Sequence, residues 1–120
     1  MQLVSIRYRP ERISAEDIAL LARYARIVFA LTLDVPSNEA AKLAPGDFSV
    51  WTHPERVGDF LNYDVEIVAR TSYFPERSEN LEERERAAAE ITREFLNGMG
   101  LSEATASQWI ELVDAAYGEI

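Results

Sequence analysis

The chain has no cysteine among its 120 residues. That excludes disulfides, thiolate metal ligands and a cysteine nucleophile, and is compatible with the cytosol. It has one histidine, His53, so a multi-histidine metal centre within one chain is excluded as well. Positive charge is scarce: 12 Lys plus Arg stand against 21 Asp plus Glu, for a net charge of -9. Such a surface repels a phosphate backbone, and nucleic acid is not an expected partner. No long apolar run is present. The richest stretch, Ile18 to Leu33, is broken by Arg23 and Arg26, so no membrane span is expected, and the amino terminus does not have the pattern of a signal peptide. No glycine-rich phosphate loop, Ser-His-Asp order or acidic metal cluster stands out, and neither a metal nor a cofactor is expected.

What is present is an echo. Tyr8-Arg9-Pro10-Glu11-Arg12 leads into one helix, and Tyr73-Phe74-Pro75-Glu76-Arg77 leads into another 65 positions later. Between and around these turns, hydrophobic periodicity predicts strands at residues 2 to 9, 48 to 52, 63 to 70 and 108 to 113. A first helix is predicted from Ser14, a good N-cap with Glu16 and Asp17 behind it, to about Thr32. A second starts near Ser78 to Asn80 and ends at Asn97-Gly98, with glycine expected in the left-handed conformation. Its apolar stripe reads Leu81, Ala88, Ile91 and Phe95, with Ala87 at the margin. Residues 37 to 47, holding Pro45-Gly46, read as a surface connection with a short helical turn at Glu39 to Leu43. The last strand carries apolar groups on both faces, around Trp109 and Ile110, which predicts cover by a second subunit.

The sum is βαββαβ in one α+β domain made of two repeats, about residues 1 to 60 and 61 to 120. A ferredoxin-like sheet would interleave the strands of the halves, whereas a tautomerase-like sheet pairs each half's strands in parallel. Crossover handedness permits both.

Local resemblance favours the second. Gln2 to Arg12 resembles the opening of the tautomerase superfamily, whose first strand runs from a catalytic proline to a substrate-binding arginine; Gln2 falls at the proline's place and Arg12 at the arginine's. Thr32-Leu33-Asp34-Val35-Pro36 is similar to the helix-ending Leu-Asp-x-Pro of the 4-oxalocrotonate tautomerases, and Glu76-Arg77-Ser78 to their Gly-Arg-Ser turn. The double length resembles the 5-carboxymethyl-2-hydroxymuconate isomerases. The resemblance implies a tautomerase-like duplicated βαβ fold: a four-stranded sheet with two helices on one face. It further implies a homotrimer with pockets for small carboxylic acids carrying a carbonyl or enol; a cytoplasmic location is expected from the absence of cysteine instead. The departure is chemical. A proline nitrogen, lowered in pKa by desolvation, can take a proton beside a carbonyl, but glutamine has no basic side chain. Met1 or Gln2 then stands at the base position, and the α-amine of a retained Met1, with a reference pKa of about 7.7 to 8.0, would be the remaining amine.

The candidate site residues are therefore Met1 and Gln2 for catalysis, with Arg12, Arg77, His53 and Phe60 for substrate. Arg12 and Arg77 occupy equivalent turns and are expected to open onto a shared cleft, each able to hold a carboxylate through two parallel bonds. His53, before Pro54, is an acid or base candidate, and Phe60 an aromatic wall. Each has a plainer reading: a surface ion pair for the arginines, a loop donor for His53, core filling for Phe60. Trp51 and Trp109 read as packing between subunits. At the level of the whole protein three functions remain open: a divergent tautomerase binding a keto or enol acid, with weak isomerase activity; a non-catalytic oligomeric domain of the same fold; and a ferredoxin-like metabolite-sensing dimer.

Overall fold

The computed structural model describes residues 2 to 114. Four strands form one mixed sheet: β1 (Leu3–Tyr8), β2 (Ser49–Pro54), β3 (Val65–Ser72) and β4 (Ala106–Val113), in the order β2-β1-β3-β4. β1 pairs with β2 in parallel and β3 with β4 in parallel, while β1 and β3 meet antiparallel at the centre. Each half thus keeps its own strands together. A ferredoxin-like sheet would have placed a strand of the other half between them, so that alternative is overturned.

Strand alternation decides which face is covered. Val4, Ile6 and Tyr8 of β1, Val65, Ile67 and Ala69 of β3 and Ile110 of β4 are buried on one face. They join the core with α1 (Ala15–Leu33) and α3 (Leu81–Gly98), so both long helices cover that side. α1 starts where the sequence places it, with the Ser14 hydroxyl accepting from Asp17 N at 3.1 Å and Ile13 buried beside Ile18. It contributes Ile18, Leu21, Ala25, Val28 and Phe29 to the core. Tyr24 of α1 stacks on Phe95 of α3 at 3.6 Å between ring centroids, fixing one helix against the other.

The second half departs from expectation in three places. A four-residue helix, α2 (Pro75–Ser78), precedes α3, because Pro75 presets a helical first turn immediately after Phe74. The buried positions of α3 are Ala88, Thr92 and Leu96, with Leu81, Ile91 and Phe95 half-buried and Ala87 exposed. The left-handed residue is Gly100 (φ 81) rather than Gly98, which still lies within the helix; Leu101 N then donates back to Leu96 O at 2.9 Å. Among the described residues no helix is long and apolar enough to cross a membrane.

Candidate functional site

The expected catalytic position lies where β1 begins. Gln2 O accepts from Ser49 N, and Gln2 Nε2 reaches the Thr71 and Ser72 hydroxyls at 3.4 and 3.5 Å at the end of β3. Met1 lies outside the described residues. Gln2 is close to Arg77, since both approach Thr71, but Arg77 comes from beneath and is fully buried, at 0% exposure. Its Nε donates to Leu33 O, Nη1 to Thr71 Oγ1 and Ser72 O, and Nη2 to Ala41 O, at 2.6 to 3.3 Å. Burial, seconded by the charge of Arg84, presses its pKa down, against the pull of Asp34 and Glu76. The expected carboxylate-binding role of Arg77 is therefore corrected. Its guanidinium ties α1's last turn, the 3-10 turn Glu39–Ala41 and the end of β3 together, and presents no open edge to a ligand.

Arg12 sits at the other end of the sheet. The echoing turns follow β1 and β3, and because those two strands run antiparallel the turns fall at opposite ends. The shared cleft expected for Arg12 and Arg77 is thus absent within the chain. Arg12 instead faces Asp64 at 3.4 Å; its own side chain is 58% exposed and that of Asp64 only 4%. Asp64 also binds Arg9 at 3.2 Å, and it clasps Thr105: Thr105 N donates to Asp64 Oδ2 while Asp64 N donates to Thr105 Oγ1. The Thr105 amide first, then Arg9 and Arg12, hold the Asp64 carboxyl below the usual range, although burial opposes them. A cleft of about 330 Å³ opens beside Arg12 and Asp64 under the loop from Gly100 to Ala104.

His53 and Phe60 come together. The end of β2 and the loop after it enclose a cleft of about 310 Å³, lined by Arg7, His53, Arg56 and Phe60 among others. Arg7 and His53 are register partners on adjacent parallel strands, on the face that carries no helix. The loop is held by its own carboxylates: Asp59 accepts from Arg56 N, and Glu55 from Leu61 N. Phe60 is 95% exposed, which removes core filling as its role. Arg7 and Arg56 are the residues that sequence reasoning missed. The signal was present in the strand alternation, since Arg7 lies on the polar side of β1. Among the described residues no group of three or more His, Cys, Asp or Glu side chains is placed to hold a metal ion.

No protein-family model and no curated protein matches the sequence. Solved structures do match the fold. A 5-carboxymethyl-2-hydroxymuconate delta-isomerase superposes with a TM-score of 0.64 at 16% identity, over 98% of this chain and 89% of its own. A member of the cis-3-chloroacrylic acid dehalogenase family gives 0.55 at 13%, over 98% and 82%. A malonate semialdehyde decarboxylase inhibited by 3-bromopropiolate gives 0.53 at 14%, over 98% and 89%. These neighbours are members of the tautomerase superfamily. Together with two parallel strand pairs meeting antiparallel under two helices, they show that this chain has the tautomerase-like fold.

Proposed function

We propose that this chain is a divergent tautomerase-like protein that binds a small keto or enol carboxylic acid in the cleft after β2, where His53 gives it weak isomerase activity. The observation that carries the reading is the side-by-side placement of Arg7 and His53, with Phe60 exposed at the same cleft. The Arg7 side chain has no hydrogen-bond or ion-pair partner among the described residues, so its guanidinium is available to hold a carboxylate. Arg56 adds positive charge at the rim and Phe60 an apolar wall. Neutral imidazole would take the proton α to the carbonyl, leaving an enolate, and the imidazolium would return it to the enolate oxygen. The base is solvated and not desolvated like a buried amine, which supports a slow rate. A cysteine-free acidic chain fits the cytosol, and the oligomeric habit of tautomerase-superfamily neighbours is consistent with a homo-oligomer, here taken as a homotrimer.

The test follows phenylpyruvate enol–keto exchange by ultraviolet absorbance. Wild type is expected above the buffer rate; His53→Ala falls by about tenfold or more, within the usual span for one acid–base group, while binding is kept. Arg7→Ala weakens binding, and Arg12→Ala changes neither. A wild-type rate equal to buffer, or His53→Ala as active as wild type, ends the reading. Loss of the rate on blocking the α-amine alone, with His53→Ala unaffected, would return catalysis to Met1.

A second reading, a non-catalytic assembly domain, is favoured by one observation: the sheet face away from the helices is uncovered and carries Trp51 and Trp109, both exposed.

A further inference from the structure

α1 is apolar on two sides. Its inner stripe, Ile18, Leu21, Ala25, Val28 and Phe29, fills the core, while Leu20, Tyr24, Ile27 and Leu31 run along the side turned away from the sheet. Their spacing keeps them in one row along the helix. The four side chains are between 38% and 69% exposed. A helix that is apolar all round is normally covered all round, yet this side faces solvent.

α3 runs antiparallel beside it. Tyr24 stacks on Phe95, and Arg84 donates to the carbonyls of Thr32 and Asp34 at 2.8 and 2.9 Å. With Arg84 and Phe95 turned to α1 and Thr92 turned to Gln108 of β4, the remaining side of α3 looks outward, as the α1 row does. That side carries Glu83, Ala87, Glu90 and Glu94, all exposed. The three carboxylates have no ion-pair partner among the described residues. The cations of the two helices are engaged or placed elsewhere. Arg84 is spent on the α1 carbonyls, and Arg93 donates to Ser102 O and Ala104 O. Arg86 lines a cavity toward β4, and Arg23 and Arg26 line one toward β2. The outer surface of the helix layer is therefore an apolar row bordered by an acidic one.

We propose that this surface docks an amphipathic helix of another protein, with one apolar stripe and lysines or arginines along one edge of it. Leu20 to Leu31 spans about 17 Å, roughly three helical turns. A partner helix of that length sets apolar side chains three and four residues apart against Leu20, Ile27 and Leu31, while its cations lie over Glu83, Glu90 and Glu94. Charge selects the occupant. A second copy of this chain would bring its own acidic row, placing carboxylates against carboxylates or against leucines, and both are unfavourable. The net charge of -9 likewise repels an anionic lipid surface and draws a basic segment from a distance. This surface lies across the sheet from the cleft of Arg7 and His53, so the two readings stand or fall separately.

The test titrates the full chain into a fluorescent synthetic helix of about 15 residues, with leucines at helical spacing and lysines beside them, and follows anisotropy. Saturable binding that weakens with salt is expected, and none for a twin peptide with glutamates in place of the lysines. Ile27→Lys, checked for an unchanged helix signal, is expected to weaken binding by about tenfold or more. Glu90→Lys is expected to weaken it by about threefold. Glu111→Lys makes the same change in net charge on the opposite, bare face of the sheet and is expected to leave the affinity near that of wild type. No saturable binding, a glutamate twin that binds equally, an unaltered affinity in Ile27→Lys, or equal losses in Glu90→Lys and Glu111→Lys would each overturn the proposal. So would a fall in the chain's own oligomer mass in Ile27→Lys, which would make a second copy the occupant.

Discussion

Arg77 shows what a single side chain can do when it is wholly enclosed. It replaces a hydrophobic plug with a fork that joins Leu33, Ala41, Thr71 and Ser72, residues far apart in the chain. Truncation leaves carbonyls without donors and a void the size of the guanidinium and its stem. Arg77→Ala is therefore expected to cost about 3–5 kcal/mol, a large share of the roughly 5–15 kcal/mol available to a domain of this size. Arg77→Lys recovers only part, because an ammonium cannot span the same carbonyls in one plane. Urea denaturation measures both; a midpoint for Arg77→Ala near that of wild type would mean the network contributes little. The residue also marks a limit of sequence reading. Its repeat position matches Arg12, yet one side chain is buried and the other lies against Asp64. Sequence periodicity locates a turn but not the side of the chain from which neighbours close over it. The loop of residues 34 to 44 closes over Arg77, whereas the shorter loop from Gly100 to Ala104 leaves a cleft beside Arg12.

At the scale of elements, the strands were legible because each central strand alternates cleanly, and α1 because cap, staple and stripe agree. α3 was read less well, for a physical reason. Its inward face includes Glu85 and Thr92, and a rule that sends polar residues outward shifts the stripe toward Ile91 and Phe95. The misfit has an energetic signature. The folded-state pKa of Glu85 is raised above its ordinary value of 4.5, so any stability tied to this group is present below that value. It is lost as pH rises through the higher folded value. At neutral pH the charged form opposes folding. Glu85→Gln is accordingly expected to be more stable than wild type at pH 7, by an amount on the order of 1 kcal/mol, with the difference shrinking toward about pH 4. Thermal denaturation across this range checks it. A variant less stable than wild type at pH 7 would show that the carboxylate is already satisfied.

For the whole molecule the governing fact is asymmetry of cover. One sheet face carries both long helices; the other carries none. Across that bare face the strand registers align one row, Trp51 opposite Ser5, Ser5 opposite Val68, and Val68 opposite Trp109. Trp51 is 58% exposed and Trp109 65%. Two large aromatic rings at the edges of a row, with a small and a branched residue between them, form a shallow apolar surface that a monomer has little reason to keep in water. The sequence announced the tryptophans but not their alignment, which depends on a register between halves that no local pattern encodes. If this face is where copies of the chain meet, as the homotrimer reading requires, then Trp51→Lys with Trp109→Lys places like charges on every copy at the contact. Sedimentation should find wild type as a trimer and the double variant as a monomer. Its helix signal should be retained, because neither ring belongs to the core that α1 and α3 form with the sheet. A wild-type monomer, or a double variant that still sediments as a trimer, would place assembly elsewhere and leave the cleft of Arg7 and His53 open at the rim of a free sheet.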